Sequence, residues 1–355
     1  MTEQNALGAR IARMIAAQGP ISVAQFMTIA LHDRRSGYYA RRDPLGTDFI
    51  TAPEMTQAFG ELLGLWCAQV WEDQGKPTPA RLVELGPGRG TLMADALRAA
   101  RLMPDFLAAI EVVLVEASPV LTEAQKKTLH DCERPLRWVQ SVADIEHDRP
   151  QFTLANEFLD ALPIQQFVRT EKGWSERMVA LDATGQITFA LSPAAWNFAV
   201  PAERGEATAG AVYEFSAAAT ALVADIARGI ARMGGGALFI DYGHAGIGFG
   251  ETLQAVGGNR HQDILAAPGE VDLSAHVDFG AVSRAACAGG AQSYGPLAQG
   301  TFLESLGVRA REASLLGPGG TSLAIDRLTK PDQMGTLFKA LALLPESAPP
   351  PPGFA

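Results

Sequence analysis

Three features of the sequence predict an α/β fold with a Rossmann-like open sheet at its centre. Short apolar runs alternate with helical segments from Arg81 onward, a glycine-rich turn joins the first run to the first helix, and an acidic residue closes the second run. Short buried strands separated by helices pair in parallel, because each crossover helix returns the chain to the same edge of the sheet. The helices then cover both faces.

The elements follow in order. Leu7, Ile11, Met14 and Ile15 fall at helical spacing and Pro20 ends that segment. Arg10 and Arg13 give it some texture of a transit peptide, but Glu3 and the helix stop favour a surface helix of the mature chain, with a cytoplasmic location expected. A second helix is expected over Ile21 to Leu31, a polar loop over Arg34 to Phe49, and a strongly apolar helix from Met55 to about Trp71. Leu82 to Leu85, Val112 to Val115, Trp138-Val139, Phe152 to Ala155 and Ala237 to Ile240 read as strands, with helices over Thr91 to Arg101 and Pro119 to Leu129. Phe167 to Arg169 and Met178 to Leu181 form a hairpin pattern about Lys172-Gly173, then comes Ile187 to Phe189, and a return helix is expected from Tyr213 to about Met233.

These elements give an N-terminal helical extension with a cofactor lid over residues 1-78, a core over 79-165 and 235-346, and a β-rich substrate-side insertion over 166-234. The proline-rich tail over 347-355 is expected to be disordered. In the lid, Asp48 to Glu54 combines small and polar residues beside an apolar helix, an odd composition for a linker, and is expected to close over the cofactor.

Composition narrows the function. A hydrophobic content of 47% with 19% charged residues over 355 residues suits a globular enzyme with one large core and an appendage. A net charge of -10 argues against nucleic-acid binding, which needs clustered cations to displace counterions. No apolar stretch approaches the length of a membrane span, so no stable membrane insertion is expected. Cys67, Cys132 and Cys287 lie far apart, and no HxxxH or CxxC spacing accompanies them, so neither a metal site nor a disulfide framework is expected.

The main chemical signal is Glu84-Leu85-Gly86-Pro87-Gly88-Arg89-Gly90-Thr91, a strand running into alternate glycines that open a helix. Side chains at Gly86, Gly88 and Gly90 would crowd a ligand or obstruct the turn. The spacing is GxGxG, which misses the GxGxxG of a dinucleotide pyrophosphate site. Glu84 lies two positions before the first glycine, where a carboxylate suits a cationic amino group better than a pyrophosphate. Glu116 ends the next strand, ~30 residues on, where a carboxylate can accept both hydroxyls of a ribose. Together these favour S-adenosyl-L-methionine over NAD. Ser141, after the short strand, falls where a third strand end would meet the adenine.

The strand over Phe152 to Ala155 leads into Asn156-Glu157-Phe158-Leu159-Asp160-Ala161-Leu162-Pro163. Ligands of open α/β sheets sit beyond the carboxyl ends of strands, which makes Asn156, Glu157 and Asp160 candidates for the reacting edge. Asp160 reads equally well as a helix cap, whereas the strand-end position of Glu157 favours a functional role over a solvated carboxylate. Asp241, His261, Asp272 and His276 stand near the same edge, and their spacing leaves catalytic and structural roles open.

Several strings carry a resemblance: Ser36-Gly37-Tyr38-Tyr39, Asp48 to Glu54 with Phe59-Gly60-Glu61-Leu62, the glycine loop, Val115 to Pro119, Asn156 to Ile164, Ile240 to Gly243 and His276 to Phe279. With them the chain resembles the MidA-type class I methyltransferases, bacterial relatives of the mitochondrial complex I assembly-factor arginine methyltransferase. The one departure is Leu159, where the family usually has Phe. The resemblance implies a class I methyltransferase sheet, S-adenosyl-L-methionine as methyl donor and a protein arginine as acceptor, in the mitochondrial members on a complex I subunit. It carries the glycines and Glu116 over as cofactor residues, and Asn156 and Glu157 as residues of the strand edge. A small-molecule methyltransferase and a cofactor-binding assembly chaperone without turnover are the alternatives, and the sequence leaves the oligomeric state open.

Overall fold

A computed structural model describes residues 6–41, 50–196, 200–246, 248–258, 260–317 and 322–354. The expected lid therefore falls partly outside the described residues, at Asp48 and Phe49. The chain forms two compact units, one of residues 50–159, 220–244 and 279–355, the other of residues 1–49, 160–219 and 245–278.

The first unit holds the parallel sheet. Its strands are β1 (Ala80–Leu85), β2 (Ile110–Val115), β3 (Leu136–Val139), β4 (Gln151–Asn156), β5 (Gly235–His244), β6 (Gln292–Ala298) and β7 (Phe338–Leu344), in the spatial order β6-β7-β5-β4-β1-β2-β3. The pairs from β5 to β3 are all parallel, and β7 and β6 add two antiparallel pairings at one side. The first three strands build outward from β1, then the chain returns to lay β4 against the other side of β1. The strand order reverses there, and the crossovers on the two sides diverge, leaving a crevice at the carboxyl ends of β1 and β4. Every residue of β1 is buried, as a central strand covered on both faces requires.

Three helices frame this crevice: α1 (Gln57–Asp73), α2 (Thr91–Ala100) and α3 (Pro119–Thr128). Helix α1 was expected to belong to an N-terminal region but packs within the core unit. Phe59, Leu63, Trp66 and Trp71 bury in one apolar cluster with Leu82, Phe152 and Leu238 of the sheet. The tail also differs from the disordered segment expected. Trp66 donates its indole N–H to the Pro352 carbonyl at 3.1 Å, and the Phe354 ring lies 5.1 Å from Phe302. A proline run has no backbone N–H to satisfy, so it can dock on an apolar surface through its carbonyls and rings.

The second unit is antiparallel. Strand Gly173–Leu181 pairs on one side with Gln165–Thr170 and on the other with Ile187–Trp196, and Val212–Phe215 extends the sheet beside Gln165–Thr170. The hairpin expectation is met. The return helix, by contrast, begins at Ala217, and Tyr213 lies in a strand where Tyr213 stacks with Phe167. Helix Val23–His32 starts on a capping box in which Ser22 and Gln25 satisfy each other's backbone N–H. Residues 245–278, assigned to the core from sequence, join this unit because Leu253, Val271 and Leu273 bury with Phe26 and Met27.

Helices α1 and α2 approach unusually closely at Gly64. A Cβ built there would lie 2.5 Å from the Ala96 Cα and 2.7 Å from its Cβ. On helix propensity alone, Gly64→Ala would gain about 1 kcal/mol. The contact reverses that sign, and a loss of about 1–3 kcal/mol from overpacking is expected instead, read as a lowered midpoint of urea unfolding.

Candidate functional site

The glycine loop between β1 and α2 turns by left-handed backbone at three alternate residues: Gly86 at φ 62°, Gly88 at φ 54° and Gly90 at φ 83°. Side-chain-bearing residues rarely adopt these angles, which explains the alternation. Space adds a second reason at Gly86, where a Cβ would lie 2.8 Å from the Phe158 ring.

Glu84 ends under this loop, 3% exposed. Its carboxyl accepts the backbone N–H of Met93 in the first turn of α2, while Oε2 has no hydrogen-bond partner among the described residues. Burial and the nearby Glu116 carboxylate push its pKa up to about 8. Glu116, at the end of β2, is also raised above its ordinary value by burial. It is held in place by the Ser118 N–H at 2.7 Å and the Gln125 side-chain amide at 3.0 Å.

Gln125 was not singled out from the sequence. It is fully buried on α3, and its Nε2 donates both to Glu116 Oε2 and, at 2.8 Å, to the Gly88 carbonyl. Its Oε1 accepts the Trp138 indole N–H at 2.9 Å. One side chain thus joins the loop, the acidic end of β2 and strand β3. The available signal was a polar residue one turn beyond Leu121 on the buried face of an otherwise solvated helix.

At the end of β4, Asn156 donates to Glu157 Oε1 at 3.1 Å, and the same oxygen accepts the Ala52 N–H at 3.2 Å. Asn156 Oδ1 is buried without a hydrogen-bond partner among the described residues. Glu157 sits at φ 50°, a left-handed angle uncommon outside glycine, and its N–H is taken by the Ile240 carbonyl at 2.9 Å. The next two amides, of Phe158 and Leu159, both donate to Asp241 Oδ2, and Asp241 Oδ1 accepts from Tyr242. Asp241 is therefore a buried backbone anchor of this corner.

The remaining candidates lie elsewhere. Ser141 is exposed and caps a short 3₁₀ turn over Val142–Asp144 through Ala143 N. Asp160 belongs to the antiparallel unit, where it is 8% exposed and its carbonyl accepts the Ala275 N–H. Asp272 of that unit accepts the Tyr39 hydroxyl at 2.8 Å, and the pair helps raise the Tyr39 pKa, after burial as the larger cause. The backbone N–H of His276 donates to Thr252, and His261 lies on an exposed strand. The structure thus brings together Glu84, Gly86, Gly88, Gly90, Glu116, Asn156 and Glu157, all at carboxyl ends of adjacent strands in one unit.

A group carrying hydrogen-bond donors would fit this crevice. Two buried side-chain oxygens at the ends of neighbouring strands, Glu84 Oε2 and Asn156 Oδ1, have no hydrogen-bond partner among the described residues, and buried polar atoms are rarely left so. Glycine φ angles shape the loop between them, and Glu116 offers a carboxylate at the end of β2. The ammonium and ribose hydroxyls of S-adenosyl-L-methionine are donors of that kind.

The sequence profile of the S-adenosyl-L-methionine-dependent methyltransferases matches residues 62–297. Among curated proteins, the chain is 38% identical to the mitochondrial protein arginine methyltransferase NDUFAF7 of Mus musculus, covering 93% of this chain and 82% of that protein. It is 38% identical to the Homo sapiens protein of the same name over 93% of this chain and 81% of that one. A Drosophila melanogaster homologue is 33% identical over 96% and 85%. Among solved structures, a candidate methyl transferase from Burkholderia thailandensis bound to S-adenosyl-homocysteine superposes with a TM-score of 0.84 at 29% identity, covering 99% of this chain and 94% of that one. The cytoplasmic location expected from the sequence is corrected by these relatives, whose names place them in mitochondria.

The raised Glu84 pKa predicts a direction for stability against pH. The folded chain keeps its proton where the unfolded chain, near the ordinary 4.5, has already released it. The stabilising contribution of protonated Glu84 is full below about 4.5, declines as pH rises, and is gone above about 8. Urea midpoints of the ligand-free chain measured across that window should therefore fall more steeply for wild type than for Glu84→Gln, which holds no titrating proton. Parallel slopes would remove Glu84 as the cause.

Proposed function

This chain belongs to the S-adenosyl-L-methionine-dependent methyltransferase family, and from that premise we propose that it methylates an arginine of a protein substrate, with a subunit of respiratory complex I as the acceptor. The observation that carries the site assignment is the pair of buried oxygens, Glu84 Oε2 and Asn156 Oδ1, that have no hydrogen-bond partner among the described residues and flank the glycine loop where strand order reverses. The arginine acceptor is supported by the names of the relatives and by the placement of Glu157.

When bound, the cofactor supplies an electrophilic methyl group on a sulfonium. Glu84 and Asn156 receive its ammonium, the glycine loop takes its methionyl portion, and Glu116 accepts its ribose hydroxyls. The Glu84 carboxyl, whose pKa burial raises to about 8, would release its proton to solvent when the cation binds, because an adjacent positive charge favours the ionised form.

On the acceptor side, a guanidinium is planar, fully protonated and a poor nucleophile until its orientation is fixed. Glu157 supplies a carboxylate whose Oε1 is already held by Asn156 and the Ala52 N–H, so little side-chain freedom is lost on pairing with a cation. The backbone of Glu157 is equally constrained, by the Ile240 carbonyl and by the Asp241 anchor of the residues that follow. Catalysis here is alignment and charge placement: the paired guanidinium presents one nitrogen in line with the methyl group, and its proton leaves to solvent during or after transfer. Asp160 is given no part in this step.

Two measurements follow. Glu116→Ala should weaken S-adenosyl-L-methionine binding by roughly 1.5–3 kcal/mol in calorimetry, the scale of a lost charged hydrogen bond; unchanged affinity would move the ribose elsewhere. Glu157→Gln should leave cofactor affinity nearly unchanged while methyl transfer to an arginine-containing acceptor protein falls by orders of magnitude. Retained turnover would take Glu157 out of the mechanism, and a parallel loss of binding would make it a cofactor residue instead.

A further inference from the structure

The short segment between Ile50 and Thr56 touches both halves of the crevice. Its helical turn, Ala52–Met55, follows Thr51 and carries Pro53 in its first positions, which fixes the local backbone. Toward β4, the Ala52 N–H donates to Glu157 Oε1 at 3.2 Å. Toward β1, Glu54 Oε1 accepts the Thr91 hydroxyl at 2.5 Å, and Glu54 Oε2 lies 3.9 Å from the Arg89 guanidinium. Arg89 and Thr91 flank Gly90, the last glycine of the loop. Downstream, Thr56 is fixed by a buried hydrogen bond to Glu312 at 2.6 Å. Ala52 is fully buried, so the turn is packed into the unit and not laid over its surface.

We propose that Glu54 is a positioning residue that couples the cofactor loop to Glu157. A loop that turns on three positive-φ glycines is intrinsically permissive, and ordering it has an entropic cost that ligand binding must otherwise meet. Glu54 places a carboxylate against the residues on either side of Gly90, at the positive end of α2, and thereby holds the loop in its turned form. Two residues earlier on the same rigid turn, Ala52 holds the Glu157 carboxylate. Displacement of the turn would loosen the loop and the acceptor-side carboxylate together, so cofactor occupancy and the orientation of Glu157 are linked through seven residues. The inference concerns cofactor binding and segment order. It rests on the proposed function only in the use that Glu157 makes of its orientation.

The test uses the full chain with S-adenosyl-homocysteine as probe, so it needs no acceptor and stands apart from the identity of the substrate. Glu54→Ala should weaken binding roughly tenfold, the range of a lost charge-assisted contact. Glu54→Gln should recover most of that loss, since its amide oxygen still accepts from Thr91. Amide hydrogen exchange should show the ligand protecting residues 51–56 as well as 86–92 in wild type, with protection of 51–56 lost in Glu54→Ala. A merely structural role would lower the thermal midpoint in both variants without separating the two segments. Unchanged affinity in Glu54→Ala, a Gln variant as weak as the Ala variant, or protection of 51–56 that survives the substitution would each overturn the proposal. Should Glu54→Ala fail to fold, Thr91→Val carries the same test: it removes the hydroxyl donor, should weaken binding several-fold, and overturns the coupling if affinity is unchanged.

Discussion

Everything at this site hangs on the corner after β4, and the corner hangs on one buried carboxylate. A strand leaving a sheet must find new partners for its backbone amides, and at the carboxyl end of a central strand no neighbouring strand supplies them. Asp241 does so, taking the amides of Phe158 and Leu159 on one oxygen and its neighbour Tyr242 on the other. Because Asp241 lies on β5, adjacent to β4, the sheet itself positions the anchor. The left-handed backbone of Glu157 is sustained by this arrangement, which stores local strain where a side chain has to be aimed.

The same economy of polar groups governs the opposite side of the crevice. Gln125 satisfies three partners with one amide, and in doing so sets the distance between the glycine loop and Glu116. Glu84 lies beneath with one oxygen bonded and one not, its proton held by burial. Satisfied groups make the frame and unsatisfied ones mark where a ligand completes it.

Much of this was legible in the sequence. The five strands read from apolar runs, the glycine turn, the acidic ends of β1 and β2, and the Asn-Glu string after β4 all follow from local pattern. Burial on both faces writes itself as continuous Val, Leu and Ile, and a left-handed turn writes itself as glycine. What misled was assignment by position along the chain. Helix α1 and residues 245–278 each went to the wrong neighbour, because apolar spacing says that a face is buried and is silent on what buries it. The proline tail misled similarly, since composition marks it as unable to form regular structure, not as unable to dock.

The sequence by itself pointed to the chemistry class: a glycine-alternating loop between strand and helix, with a carboxylate before it and another at the next strand end, favours S-adenosyl-L-methionine over a dinucleotide. Only the tertiary structure decided which polar residues serve as frame and which face outward from it. Asp241 and Glu157 are both acids that directly follow short apolar runs in the sequence and cannot be told apart by spacing; one accepts three backbone amides and is buried, the other has an oxygen fixed by Asn156 and a residue 105 positions away in the chain. Hydrogen bonds between residues so distant are set by how the strands are ordered in space, and that ordering is a property of the packed sheet and not of any local run of sequence.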